Sequence, residues 1–294
     1  MFTQLFGNYL LNQRLVSAEQ LAEALELQKT TRLKLGVLAI NAGYMTADQV
    51  EMVHAAQQRV NMRIGDIAVQ MGFLTHEQVE ELLSSQKSGH LLLGQALVDK
   101  GYMTTAQFEQ ALRSYKAENS ITDSDFTSAQ SDKESVAIRR FYNLDALRNT
   151  KYYTEYISLL YNNIIRFIGN DFTPLDPEPI TEYSCMNAAV QKITGTANFV
   201  TAIEANDNEY IDFAARYAGE PLNCIDEMTN ASVGEFLNLQ NGLFTVNISN
   251  DTGIELKLDP QETSVGAHLE NLSEAFRIPF AFPFGTVNFI IASV

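Results

Sequence analysis

The sequence predicts an all-α domain of four 29-residue helix-turn-helix units over residues 1–117, a polar linker with a connecting helix over 118–150, and an α+β domain with a mostly antiparallel sheet over 151–294. Three observations predict it. Gly7, Gly36, Gly65 and Gly94 stand 29 positions apart, as do Ser17, Thr46, Thr75 and Thr104, and Gln28, Gln57, Gln86 and Tyr115. Residues 118–135 then turn to Ser, Thr, Asp, Asn and Gln with few apolar side chains. Beyond them, helix-like and strand-like apolar patterns alternate. A repeat of this length marks a stack of supersecondary units, each too small to bury its own apolar face.

Each unit reads as a short helix, a turn and a longer helix. In the second unit residues 35–42 are small and apolar, Gly43 breaks them, and Thr46 opens the next helix. Ser17 with Gln20, Thr46 with Gln49, Thr75 with Gln78 and Thr104 with Gln107 all have capping-box spacing, in which hydroxyl and amide satisfy reciprocal backbone N–H groups. Val50, Val53 and Ala56 mark the buried stripe, matched one unit later by Val79, Leu82 and Ser85.

After the linker, 136–149 reads as a connecting helix. Tyr153, Tyr156, Ile157, Leu160, Ile164 and Phe167 give a helical stripe closed by Gly169, and the prolines between 174 and 179 exclude helix. Residues 188–193 and 198–204 have strand composition with Gly195 between them, and 207–217 and 222–239 look helical. Residues 243–249, 254–258, 279–284 and 286–292 read as strands, with Gly253 and Gly285 at turns.

The 294 residues carry a formal charge of −16, unevenly shared. Residues 1–117 hold ten Lys/Arg against eleven Asp/Glu, and the remainder ten against twenty-five. So acidic a second half repels polyanions and argues against nucleic acid as its partner, while the near-neutral first half leaves room for a small anionic ligand. Cys185 and Cys224 are the only thiols, which fits a reducing compartment and two buried free cysteines. No stretch has the apolar length of a membrane span, and no basic segment followed by an apolar core opens the chain, so a cytoplasmic location is expected. The four histidines, His54, His76, His90 and His268, pair with no nucleophile in a triad pattern, and no His/Cys cluster has metal-ligand spacing.

The two middle units carry Lys34-Leu35-Gly36, Ala39-Ile40, Gly43, Val50, His54 and Gln57, then Arg63-Ile64-Gly65, Ala68-Val69, Gly72, Val79, Leu83 and Gln86. This pattern resembles the cyclic-di-GMP-binding N-terminal domain of type II secretion and pilus-assembly ATPases, over nearly all of residues 1–117. The resemblance implies a purine-dinucleotide site formed by Lys34, Leu35, Gly36, Gly43, Gln57, Arg63, Ile64, Gly65, Gly72 and Gln86. Basic side chains would meet guanine or phosphate, and glycines would admit close backbone. The motif's second glycine is Arg14 in the first unit and its arginine is Leu92 in the fourth, so the middle pair is the implied place.

In the acidic half, Ser232-Val233-Gly234-Glu235-Phe236-Leu237-Asn238, with Gly242 four residues on, resembles the signature helix of the CheC/CheX family of chemotaxis phosphatases, with its E-x-x-N pattern. Gly195 between two strands, 214–219 ending the middle helix, Pro260 after a strand, and Ile278-Pro279 leading through Gly285 into a last apolar strand agree with it in order. The i,i+3 spacing puts both polar side chains on one helix face. The resemblance implies hydrolysis of the aspartyl phosphate of a CheY-like receiver. Asn238 would hold the attacking water and Glu235 would engage a receiver lysine. Mg²⁺ would reside on the receiver, with no cofactor of this chain's own. Glu227 and Asn230, with Gly234 four on, offer a rival register. Glu155 is followed by Ser158 rather than Asn, so one site is implied rather than two. Pairing through edge strands would make a homodimer. A noncatalytic adaptor that docks receivers or other proteins is the alternative reading.

Overall fold

The computed structural model describes residues 1–60, 62–84, 89–126 and 131–294, so Ser85, Gln86 and residues 127–130 of the polar linker lie outside the described residues. The chain divides into two compact units, Met1–Ala129 and Gln130–Val294.

Eight α-helices build the first unit: α1 (Phe2–Asn12), α2 (Ala18–Leu27), α3 (Leu35–Asn41), α4 (Ala47–Gln57), α5 (Ile64–Gln70), α6 (His76–Ser84), α7 (Gly89–Asp99) and α8 (Thr105–Asn119), with a 3-10 turn at Asp123–Phe126. All four Ser/Thr–Gln pairs close reciprocal capping boxes, with hydrogen bonds of 2.8–3.3 Å. Each removes two orphan donors from a helix start, which is why α2, α4, α6 and α8 begin where they do. Gly43, Gly72 and Gly101 take left-handed φ of 72–73° just after α3, α5 and α7, and Arg14 takes φ 55° after α1.

The glycines inside the short helices answer to packing. A Cβ on Gly36 would stand 2.6 Å from Val50 Cγ1, one on Gly65 3.0 Å from Val79 Cγ1, and one on Gly94 2.0 Å from Phe108 Cε2. Each short helix therefore presses its backbone onto a side chain in the first turn of the long helix that follows.

The contacts among these helices do not follow sequence order alone. α7 packs against α1, α2 and α3 as well as α8, and α8 reaches α3 and α4. Lys34 N donates to Gln95 Oε1 at 3.1 Å, Ala47 N to Glu109 Oε2 at 2.6 Å, and Glu23 bonds both Lys100 and Tyr102. The physical reason is α7 itself. His90, Leu91, Leu93, Gly94, Gln95, Ala96 and Leu97 are all buried, so this helix is enclosed on nearly every side and the chain folds back around it.

α9 (Ser131–Phe141) and a 3-10 turn at Leu144–Ala146 open the second unit. The predicted connecting helix at 136–149 thus begins earlier and stops at Phe141, because Asn143 turns left-handed at φ 51°. α10 (Thr150–Phe167) follows, then β1 (Thr173–Pro174), β2 (Glu178–Ile180), β3 (Tyr183–Ser184), β4 (Asn187–Gly195), β5 (Phe199–Ala205), α11 (Asp207–Ala218), α12 (Glu227–Thr252), β6 (Leu256–Leu258), β7 (Glu262–Val265), β8 (His268–Leu269), β9 (Ser273–Phe282) and β10 (Gly285–Ser293).

The main sheet runs β1-β9-β10-β5-β4-β6, with β2 also on β9 and β7 also on β4, and β3 pairs with β8 separately. Its pairings are antiparallel, as predicted. α10, α11 and α12 pack together, and α11 and α12 also pack against the sheet. Tyr161 meets Phe280 at 5.2 Å and Phe213 meets Phe289 at 6.0 Å between ring centroids. On the opposite face small residues, among them Ala188, Ala202, Ala275 and Ala292, form a separate core with Cys185, Leu269 and Leu272.

Two expectations are corrected. Residues 243–249 are the last turns of α12, not a strand. Their aromatic and β-branched content reads as strand, but Phe244 and Ile248, four apart and fully buried, continue the helix's inner stripe. Of the two cysteines, Cys185 is buried and Cys224 exposed, because Cys224 lies in the loop before α12.

His90 tests the first core. It is 1% exposed, neither ring nitrogen has a hydrogen-bond partner among the described residues, and it stacks on Phe126 at 3.7 Å and meets Phe6 edge-on. Burial first, then the charge of Lys116, pushes its pKa down to about 3. The unfolded chain, with a histidine near about 6.5, binds the extra proton at higher pH. Stability from the neutral ring is thus complete above about pH 6.5 and is lost as pH falls toward the folded value. His90→Phe is expected to lose less stability than wild type between about pH 7 and pH 4.5 in thermal melts. Identical acid losses in the two proteins would contradict this.

Candidate functional site

The site is built on α12, the longest helix. Asp226 caps it by accepting from Thr229 N at 3.0 Å, a bond that lowers the Asp226 pKa, and Gly253 ends it in the left-handed conformation at φ 70°. Val233, Phe236, Leu237, Gln240, Asn241, Phe244 and Ile248 are its buried stripe, at helical spacing. Glu235 and Asn238 therefore fall off that stripe and share one flank. Glu235 is exposed and Asn238 half-buried.

Two polar neighbours hold the pair. Gln261 Nε2 donates to Glu235 Oε1 at 3.3 Å, and a Cβ on Gly234 would come 3.3 Å from the same glutamine, so the glycine gives Gln261 room beside the helix. Tyr217 lies close enough that burial and the Glu235 charge together raise its phenol pKa. Asn238 Oδ1 accepts from Gln191 Nε2 at 2.9 Å.

Gln191 belongs to a buried amide relay. It lies on the helix-facing side of β4, 2% exposed, and its Nε2 also donates to the backbone carbonyl of Asp259 at 2.9 Å. Its Oε1 accepts from Asn241 Nδ2 at 2.8 Å, and Asn241 Nδ2 donates as well to Thr201 Oγ1 at 2.8 Å. A backbone carbonyl can only accept. Asp259 therefore fixes which end of Gln191 is nitrogen, which in turn fixes Oδ1 of Asn238 inward and its NH2 outward. That outward nitrogen has no partner among the described residues. A second amide pair, Gln240 accepting from Asn163 at 2.7 Å and donating to the Tyr156 carbonyl at 3.1 Å, ties α12 to α10.

The rival register lies two turns earlier. Glu227 is exposed in the first turn, and Asn230 Oδ1 accepts from Tyr210 Oη at 3.4 Å, a long bond. On α10, Glu155 accepts from Asn247 Nδ2 at 3.4 Å.

The candidate ligand residues of the first unit are scattered by role. Leu35, Gly36 and Gly65 are buried, and Ile64 is half-buried. Gly43 and Gly72 serve the turns after α3 and α5, with open space around them. Lys34 pairs with Asp99 at 2.6 Å, and Gln57 donates to the Met62 carbonyl at 3.2 Å. Arg63, exposed at the start of α5, has no partner among the described residues, and Gln86 lies outside them.

Sequence reasoning missed Gln191, Asn241 and Asp259. A signal existed for Gln191: it alternates with Ala189 and Ile193, so a polar residue occupies the inward phase of a strand.

Among solved structures, the chain is similar to a chemotaxis protein CheX from Desulfovibrio desulfuricans, at 17% identity and a TM-score of 0.42 over 49% of this chain and 99% of that one. A CheC-like superfamily protein from Shewanella sp. PV-4 gives 19%, 0.43, 50% and 99% in the same terms. CheX in a CheX–CheY–BeF3–Mg²⁺ complex from Borrelia burgdorferi gives 16%, 0.40, 48% and 97%. No family model matches the chain, and no curated protein does. Among the described residues, no helix is long and apolar enough to cross a membrane.

Asn241 is the test of the relay. It is 0% exposed, its NH2 serves two acceptors, and its Oδ1 has no partner among the described residues. Asn241→Leu would strand Gln191 Oε1 and Thr201 Oγ1, and is expected to lower the free energy of unfolding by about 1–3 kcal/mol in urea titrations. A change within error would mean the relay adds nothing to the fold.

Proposed function

We propose that the second unit is a phosphatase for the aspartyl phosphate of a CheY-like receiver, in a cytoplasmic signalling protein, with Glu235 and Asn238 as the working pair. The observation that carries the reading is the carboxamide of Asn238. It stands beside an exposed carboxylate on one helix flank, with its NH2 group outward and unshared among the described residues. Such a group can hold a water oxygen through one lone pair and leave another for phosphorus. An amide neither takes nor gives a proton at neutral pH, so its contribution is positional, and the receiver's Mg²⁺ would carry the developing charge. Glu235, in solvent and held by Gln261 at 3.3 Å, is free to exchange that partner for a receiver lysine. Met228, Leu243 and Val246, on the same helix, are exposed as well.

The rival Glu227–Asn230 pair is less suited. Its asparagine accepts at Oδ1 from buried Tyr210 by a 3.4 Å bond, weaker than the 2.9 Å bond by which Gln191 orients Asn238.

For the first unit, one feature supports a ligand reading of the four 29-residue units as a cyclic-di-GMP module. Arg63 is an exposed guanidinium with no partner among the described residues, at the start of α5. The buried glycines lend it no support, since Val50 and Val79 already require them.

Loss of aspartyl phosphate from receivers of the same cell, followed with and without the protein, tests the enzyme. Wild type is expected to speed decay, and Asn238→Ala to remove roughly 10²-fold of that rate while still binding the receiver. Equal decay with and without wild type would leave the adaptor reading instead. Calorimetry with cyclic-di-GMP tests the first unit: Arg63→Ala is expected to weaken binding by about 1–3 kcal/mol. Absence of heat with wild type at high ligand concentration would exclude the dinucleotide.

A further inference from the structure

We infer that Gln191 is a positioning residue for Asn238: from inside the sheet it dictates which atoms of that carboxamide face a docked partner. Its catalytic consequence rests on the phosphatase reading above; its geometry does not. Asn238 and Gln191 are 47 positions apart, and Asp259 is 68 from Gln191, so three separate segments meet at one amide.

The argument is one of donor count. Gln191 Nε2 carries two hydrogens, and the structure uses both: one toward the Asp259 carbonyl at 2.9 Å and one toward Asn238 Oδ1 at 2.9 Å. Gln191 Oε1 is occupied by Asn241 at 2.8 Å, so the glutamine cannot turn over without placing oxygen against the Asp259 carbonyl and nitrogen against a donor. Asp259 is itself pinned, since its N–H donates to the Lys192 carbonyl at 3.0 Å next to Gln191 on β4. Asn238, half-buried on a helix, would otherwise turn about its last side-chain bond and present oxygen or nitrogen outward in comparable amounts. With Oδ1 held from within, only one arrangement faces out.

The loop that begins at Asp259 also carries Gln261, which reaches Glu235 at 3.3 Å. One short segment thus helps set both members of the candidate pair, from below through Gln191 and from the side through Gln261.

Gln191→Met keeps length and removes both donors. Gln191→Glu serves as a second variant should the first fail to fold. A glutamate has at most one donor hydrogen in either protonation state, against the two that Asp259 and Asn238 require, yet it still accepts from Asn241. In the phosphatase assay each variant is expected to lower kcat roughly 10²-fold, with KM for the receiver unchanged. In an Asn238→Ala background the same substitutions are expected to cause no further loss, because Gln191 acts through Asn238. Losses that multiply in the double variant, or full activity in either single one, overturn the inference while leaving the phosphatase in place.

If wild type has no activity, the reading of function falls but the positioning claim is still decided by side-chain amide NMR. The Gln191 NH2 protons are expected to exchange slowly and those of Asn238 rapidly, and the Asn238 signals to shift or double in Gln191→Met. Asn238 signals identical in wild type and variant would overturn it.

Discussion

The carbonyl oxygen of Asp259 can accept a hydrogen bond and cannot donate one, and the candidate site depends on that asymmetry. It sets the direction of Gln191, which sets Asn238 on one side and meets Asn241 on the other. Thr201 closes the relay by accepting from Asn241 and donating to the Gln191 carbonyl at 3.1 Å. Buried amides are costly unless their partners are in place, so a relay of this kind permits one register of α12 against β4 and β5. The same bonds that seat the helix thereby orient the group that leaves its surface.

The first unit is held by a different constraint, close approach of backbone to side chain. Gly36, Gly65 and Gly94 let the short helices lie directly on Val50, Val79 and Phe108. The fold then closes through aromatic rings: Phe6 meets Tyr115 at 5.2 Å and Phe108 at 6.4 Å, and Tyr115 Oη donates to the Phe2 carbonyl at 2.8 Å. Tyr115 stands where the earlier members of its series have glutamine. Its ring joins the start of the unit to the end, a task that Gln28 and Gln57 do not have. Ion pairs such as Lys34–Asp99 lie at the exposed margin of this arrangement and add little to it.

Local chemistry was legible. The four Ser/Thr–Gln pairs became capping boxes because both partners lie within one turn, and Gly253 and Gly169 stop their helices because positive φ is a property of one residue. β4 and β5 were found within a residue or two, since period-two patterning belongs to a single strand. The stretch 243–249 was misread because its composition favours strand, and only packing of Phe244 and Ile248 in the helix stripe tells otherwise. The pair Glu235 and Asn238 was legible as a spacing, but neither its exposure nor its support was.

By itself the sequence determined the helix starts and stops, the strand phases, the change from a neutral repeating half to an acidic mixed one, and the placing of a carboxylate and a carboxamide on one helix face. Each follows from groups a few residues apart. Only the tertiary structure decided that α7 sits at the centre of the first unit, and that Gln191 and the Asp259 carbonyl govern Asn238. Those contacts join residues tens of positions apart, and a hydrogen bond between them leaves no periodic mark on the chain.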